Sequence, residues 1–280
     1  MNYSIRRASQ KELEIMIEWA AKEGWNPGFY DAESFYAADP NGYFMGFLDK
    51  MPISSISAVS YGGKFGFLGF YIVSPKFRGK GYGIKIWNQA IKYLDGQNIG
   101  LDGVVTQQEN YKKSGFKLAH RNIRYEGKSQ RKIYISPNII KLARIPFARL
   151  KEYDDNFFPA TRPEFLQKWI KHPESFAVGF IENNKIKGYG MIRKCLVGYK
   201  IGPLFTDSEK IAEEIFAALQ NFLNNGTQFF LDVPEINKNA VKLAENTGMK
   251  PMFETARMYT KFAPNLPLIK IFGVTTFEVR

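Results

Sequence analysis

The chain has 280 residues, 45% of them hydrophobic and 24% charged, ordinary proportions for a globular protein that builds a core without disulfides. Its formal charge is +12, from 39 Lys and Arg against 27 Asp and Glu, which invites an anionic partner such as nucleic acid, a membrane surface or a phosphorylated cofactor. No dense Lys/Arg block of the kind a nucleic-acid arm carries is present, so nucleic acid ranks low.

Cys195 is the single cysteine, which leaves no intrachain disulfide and no cysteine zinc cluster, and fits a reducing compartment. No apolar run approaches the ~20 residues that span a bilayer. Met1 to Arg7 has no signal-peptide core, so the expected location is cytoplasmic, without membrane or metal.

In chain order, Ser9-Gln-Lys-Glu12 reads as a capping box, in which serine and glutamate each satisfy the other's backbone amide. Leu13, Met16, Ile17 and Ala20 then share one helical face, and Gly24 suits the end of that helix. Asp39-Pro-Asn-Gly42 is a turn signal. Three strand-like runs follow, Tyr43–Leu48, Ile53–Ser60 and Phe65–Val73, separated by Asp49-Lys50 and Gly62-Gly63, which predicts an antiparallel meander. A glycine cluster comes next. After it Ile84, Trp87, Ile91 and Leu94 recur at helical spacing as far as Asp95-Gly96. Ile99–Val105 is a further strand, a short segment ends at Ser114-Gly115-Phe116, and Lys117–Tyr134 is expected to supply two more strands.

Beyond residue 135 the pattern restarts. Pro163–Ile170 predicts a helix with proline in its first turn. Phe176–Ile181, Ile186–Val197 and Tyr199–Phe205 predict strands, and Glu209–Leu223 an amphipathic helix bearing Ile211, Ile215, Ala218 and Phe222. Phe229–Val233, Asn237–Asn246 and Glu254–Tyr259 read as strand, helix and strand. Leu101-Asp102 through Ser114-Gly115-Phe116 aligns with Leu231-Asp232 through Thr247-Gly248-Met249. The chain is therefore expected to duplicate a whole α/β domain, with units at 1–136 and 145–280 and a join near residues 136–150.

The glycine cluster is Arg78-Gly-Lys-Gly-Tyr-Gly83, behind the strand ending Val73-Ser-Pro75. Glycines let successive amides turn toward one point, and a following helix adds roughly half a positive charge at its N-terminus. Arg78 and Lys80 add full charges, so a phosphate or pyrophosphate is the expected ligand. The spacing fits neither a Walker A loop nor a dinucleotide fingerprint, because Ile84 stands where the third glycine would be and the preceding strand belongs to a meander.

Arg78, Gly81 and Gly83 satisfy Arg-x-x-Gly-x-Gly, and the segment resembles motif A of the GNAT superfamily of acyltransferases. The order of elements around it is also similar to that family. The resemblance implies two α/β (α+β) domains, each a mixed, largely antiparallel central sheet flanked by helices, and acetyl-CoA as cosubstrate. It further implies that Arg78, Gly79, Lys80, Gly81, Tyr82 and Gly83 hold the coenzyme pyrophosphate. The backbone of Tyr71, Ile72 and Val73, on a strand splayed from its neighbour, would hold the pantetheine arm.

Tyr111, four residues before Gly115-Phe116, matches the tyrosine that the family places near the CoA sulfur. A thiolate leaving group benefits from a proton, which a phenol can donate. Packing or stacking without proton transfer is the alternative. The usual Asn-x-x-Ala-x-x-Leu-Tyr run is compressed to Gln107-Gln-Glu-Asn-Tyr111, which predicts a short or distorted helix. Asn110 is a candidate to bond the pantetheine or to cap the turn. No acid lies between Lys64 and Ser74, where many members carry a base. Asp102, Glu33, Asp39, Glu109 and a water-mediated route remain open, with Asp102 better suited to a structural role. His120 and His172 suggest no triad or metal site.

The second half keeps the skeleton without the loop chemistry. Ile201-Gly-Pro-Leu-Phe-Thr-Asp-Ser208 has one glycine, and Ala244 stands where the tyrosine would be, although Asn237, Ala240 and Leu243 restore the family run. The ending, Phe253 to Tyr259 and Phe272-Gly-Val-Thr-Thr276, resembles a tandem subgroup with a degenerate C-terminal copy. The expected activity is acetyl transfer to an amine on a small molecule or peptide, with a non-catalytic acyl-CoA-binding sensor or scaffold as the alternative. Trp25, Phe29, Tyr30, Phe35 and Tyr36 border the acceptor site that the resemblance implies.

Overall fold

A computed structural model describes residues 2–131 and 136–279. The first half runs β1 (Tyr3–Arg7), α1 (Gln10–Lys22), α2 (Asp31–Ala38), β2 (Tyr43–Leu48), β3 (Met51–Tyr61), β4 (Phe65–Val73), α3 (Tyr82–Tyr93), β5 (Asn98–Val104), α4 (Gln108–Lys113) and β6 (Lys117–Lys128). The second runs β7 (Ile139–Lys141), α5 (Phe147–Asp154), α6 (Pro163–Trp169), β8 (Ser175–Glu182), β9 (Lys185–Lys194), β10 (Tyr199–Thr206), α7 (Glu209–Gln220), β11 (Gln228–Pro234), α8 (Lys238–Asn246), β12 (Lys250–Tyr259) and β13 (Ile271–Gly273).

Helix α1 starts as its sequence dictates. Ser9 accepts from the Glu12 amide while Glu12 bonds back to the Ser9 amide, and Leu13, Met16, Ile17 and Ala20 are buried. Asp49, Gly62 and Gly63 all take positive φ, and the β2-β3-β4 meander turns there. Only one strand, β6, lies between residues 117 and 128, where two were expected over 117–134; residues 132–135 lie outside the described residues. β6 is long because it is paired on both edges.

The strands form one continuous sheet in the order β1-β2-β3-β4-β5-β12-β6-β11-β10-β9-β8-β7, with β13 paired to β10. β4 with β5 and β10 with β11 are parallel, and the other pairs are antiparallel. The centre of this order exchanges strands between halves: β12 lies between β5 and β6, and β6 lies between β12 and β11. The duplicated Leu-Asp dipeptides meet the exchanged strands. Asp102 on β5 stands opposite Arg257 on β12, and Asp232 on β11 stands opposite Arg124 on β6. Both acids pair with their arginines through two hydrogen bonds.

Away from the sheet the halves share a core. Trp169 of α6 is fully buried, stacked on Phe35 of α2 at 6.0 Å and on Phe165 at 5.0 Å. Beside it Asp31 is fully buried between Arg193, at 2.9 and 3.1 Å, and His172, at 3.1 Å. Burial opposes ionisation of Asp31, but Arg193 and His172 outweigh it and hold the carboxyl below the ordinary range.

Candidate active site

The turn Pro75–Phe77 carries β4 into the glycine loop. Gly79 and Gly81 take φ of +74° and +79°, a conformation that costs glycine nothing and strains other residues. Gly81 caps α3 and has no side chain to bond its first amides. Gly83 is required for closeness instead, since a Cβ there would stand 2.7 Å from the Tyr71 hydroxyl. Gly79, Gly81 and Gly83 border a groove of about 600 Å³, together with Tyr71, Ile72 and Val73.

The wall of the groove follows from sheet geometry. β4 and β5 pair only from Phe65–Leu68 to Asn98–Leu101 and then part. Past Leu68, β4 bonds to β3 alone, and its register slips between Ser55 and Ser57. Phe70 sits in this bulge with φ +47°, and its carbonyl accepts from Ser55 Oγ at 2.8 Å. A bulge of this kind bends a strand and re-aims its side chains.

Tyr111 lies on the short α4, buried, stacked on Trp87 at 5.7 Å. Burial pushes its hydroxyl up to about 12, the nearby Tyr71 adds to this, and a hydrogen bond with the Val104 backbone partly offsets it. The group therefore holds its proton at neutral pH.

Tyr71, Val104, Tyr111 and Trp25 line both the groove and a smaller cavity of about 50 Å³ beside it. Phe70, Phe253 and Phe277 make it aromatic, and Asp102, Thr255 and Glu278 bring polar groups to it. Glu278 belongs to the C-terminal tail, which folds back across the other half. The Tyr61 hydroxyl donates to the Val279 carbonyl at 2.7 Å. The Glu278 carbonyl lies so near Gly69 that a Cβ there would meet it at 2.0 Å.

The remaining expected residues are placed as follows. Arg78 stands at the groove, where its Nε donates to the Val73 carbonyl at 2.8 Å and its guanidinium pairs with Glu23. Lys80 points its ammonium over Phe77 at 5.5 Å. Tyr82 packs on Tyr3 at 4.8 Å. Asn110 is exposed, and its amide donates to Gln107 Oε1 at 2.8 Å; Gln107 rather than Asn110 borders the groove. Trp25 stands at both spaces, held through its carbonyl by Arg124, whereas Phe35 is core and Phe29 is exposed.

The candidate acids separate sharply. Glu33 pairs with Lys168 and Glu109 with Lys112, both near the surface. Asp39 accepts from the amides of Asn41 and Ser60 and from Tyr93. Asp102 does reach the cavity, but Arg257 and Asn122 hold its oxygens. Sequence reasoning missed Glu278. The signal available was a lone charged residue in the run from Ile271 to Val279.

Two family models match the chain, one described as the acetyltransferase (GNAT) family over residues 8–116 and one as an acetyltransferase (GNAT) domain over residues 150–273. The chain belongs to the GNAT superfamily. It is an acyltransferase with two GNAT domains. It is 28% identical to the holothin acyltransferase of Pseudoalteromonas sp. (strain SANK 73390), an alignment covering 99% of this chain and 94% of that protein. A putative acetyltransferase from Pyrococcus horikoshii has a similar structure at a TM-score of 0.84 and 22% identity, covering 99% and 96% of the two chains. A tandem GNAT protein from the clavulanic acid biosynthesis pathway matches at 0.65 and 9%, covering 94% of this chain and all of that one. At those identities the two structures show a common fold.

Within the GNAT frame the second domain has different groups at the corresponding places. Ser208 caps α7 by accepting from the Ile211 amide, so a side chain occupies a first-turn amide of the kind left uncapped at α3. Asn237 caps α8 and donates to the carbonyls of Ile269 and Ile271 at 3.1 and 2.9 Å. It survives there as a buried clamp. No helix is long and apolar enough to cross a membrane, and no acid, histidine and cysteine group suited to a metal occurs, among the described residues.

Proposed function

We propose that this GNAT protein is an acetyl-CoA-dependent N-acyltransferase that carries the acetyl group directly to the amine of a compact molecule. Residues 1–136 form the catalytic unit, and residues 145–280 are a GNAT-like unit that braces it and closes the acceptor side. Backbone amides from Gly79 to Gly83 would take the pyrophosphate, with Arg78 and Lys80 as nearby cations. The free edge of β4 at Tyr71–Val73 would take the pantetheine, and Tyr111 would protonate the departing thiolate.

One observation carries this reading: a single groove runs from the open amides at the start of α3, along an unpaired strand edge, to a buried protonated tyrosine. A small aromatic cavity lies beside it, and its size favours a compact amine over a protein lysine. The relative named for acylating holothin supports acyl transfer as the reaction.

The test is a thermal shift with acetyl-CoA, followed by thiol release with holothin, benzylamine, spermidine, glucosamine and Nα-acetyl-lysine. Ligand at 100 times its Kd should stabilise the fold by about 2.7 kcal/mol. Gly81→Glu, which adds a strained residue and a negative charge at the loop, should abolish the shift. A shift without thiol release from any amine would point instead to an acyl-CoA sensor, and no shift would overturn the reading.

A further inference from the structure

We propose that Glu278, delivered by the C-terminal tail of the second domain, is the group that takes the proton from the acceptor amine. This rests on the reading above and names the missing base for that site.

The geometry isolates Glu278 among the acids. It is 3% exposed, and it lines the cavity that also holds Tyr111. Asp102, the other acid there, is committed to Arg257 and Asn122. The Glu278 carboxylate has one hydrogen-bond partner among the described residues, the Thr276 hydroxyl two positions earlier. Further out, Arg124 on β6, Arg193 on β9 and Lys200 on β10 feel its charge. Asp232 and Asp31 already bind the two arginines through paired hydrogen bonds, and Lys200 donates to the Asn26 carbonyl at 2.8 Å and feels Asp232 more strongly than Glu278. Tyr71 and Tyr111 are the other titratable groups at the cavity.

A second feature points to a ligand in this space. Thr255 Oγ1 borders the cavity, buried and without a hydrogen-bond partner among the described residues. An unmade bond of this sort costs free energy until a polar group meets it. The backbone also explains why the tail sits here. Gly69 leaves room for the Glu278 carbonyl, and Tyr61 anchors Val279 beyond it.

The proton balance closes. The acceptor arrives as R–NH3+ and gives one proton to the Glu278 carboxylate. The free lone pair adds to the thioester carbonyl, forming the C–N bond. Collapse breaks the C–S bond, and the thiolate takes the proton of Tyr111. The surplus proton on the new amide nitrogen returns to the Tyr111 oxygen, and Glu278 releases its own proton to solvent. The products are the amide, the free thiol and one proton.

The test compares wild type with Glu278→Gln, using the fastest amine from the panel above. General base catalysis is worth roughly 100- to 10,000-fold, so the variant should lose at least ~100-fold in kcat while its acetyl-CoA thermal shift is unchanged. A base that is missing can be supplied by pH. Below an alkylamine's pKa of about 10, the neutral fraction rises tenfold per pH unit, so the wild-type to variant ratio should shrink accordingly from pH 7 to 9. A ratio that does not change with pH, or a variant as active as wild type, would overturn the assignment. Should Glu278→Gln melt early, Glu278→Asp decides the matter. It keeps a carboxylate, so the wild-type to Glu278→Asp ratio should be flat with pH, and a ratio that shrinks as pH rises in the way expected of Glu278→Gln would count against Glu278. Wild type that neither binds acetyl-CoA nor acetylates any amine would instead defeat the acyltransferase reading itself.

Discussion

Arg124 on β6 grips Asp232 on β11 through two hydrogen bonds of 2.6 and 2.8 Å, with both side chains sealed from solvent. Burial opposes the charge on Asp232, and Arg124 and Lys200 outweigh it, so the carboxyl titrates below its ordinary value. The third arm of Arg124 holds the carbonyl of Trp25, which lines the small cavity. Asp232→Asn leaves a buried arginine without its counter-charge and should cost about 3–5 kcal/mol in urea unfolding. The sign with pH follows from the lowered value. The contribution is present above the free carboxylate's pKa of about 4 and fades as pH falls further. Wild type should therefore lose more stability than Asp232→Asn on acidification from pH 6 to 3. Equal losses would contradict the pair.

Gly103 and Tyr111 are in similarly close register. A Cβ on Gly103 would stand 2.2 Å from Cε2 of the tyrosine ring. Gly103→Ala should displace the ring from β5, at about 1–3 kcal/mol in stability, and lower kcat about tenfold or more while leaving the pyrophosphate loop untouched. The check is a KM for acetyl-CoA near wild type alongside the fall in kcat. A fall in acetyl-CoA affinity alone would show that Tyr111 is not the group being moved.

The loop geometry of the candidate site was legible because its parts are local. Gly79 and Gly81 need positive φ, and a strand, a proline and a helix announce where the loop sits. The β2-β3-β4 meander follows from apolar runs and turn residues that act over a few positions. Helix α2 left no such trace, since two of its buried residues, Asp31 and Ser34, are polar. The place of Glu278 was hidden for another reason, although its charge stood alone in the run from Ile271 to Val279. Its neighbours say only that the tail is apolar, and its place is set by Gly69 and Tyr61, over two hundred residues earlier. The exchange of β6 and β12 was hidden in the same way, because a strand's propensity does not name its partner.

The raised Tyr111 hydroxyl gives an alkaline prediction. A buried phenol whose pKa stands above the unfolded value of about 10 contributes stability that is complete below pH 10 and is lost as pH climbs through 12. As proton donor it should stay competent throughout the range of ordinary assays. Tyr111→Phe should reduce kcat roughly 100-fold with acetyl-CoA binding retained. The absorbance difference at 295 nm between wild type and this variant should develop with a midpoint near 12. A midpoint near 10 would mean that the hydroxyl is solvated and that burial does not hold its proton.

The strand exchange predicts how the halves behave apart. Without β12, residues 1–136 would leave β5 and β6 separated, each with a bare edge, and would expose the face that Trp169 and the tail cover. Unpaired edges of this length template aggregation. Residues 137–280 would be equally incomplete, since β11 loses its partner β6. Each half expressed alone should be insoluble or lack a cooperative melt. Co-expression should restore a 1:1 complex on size-exclusion chromatography, with acetyl-CoA stabilising it. A first half that is monomeric, melts cooperatively and binds acetyl-CoA on its own would show that the exchanged strands are an embellishment of two self-sufficient domains.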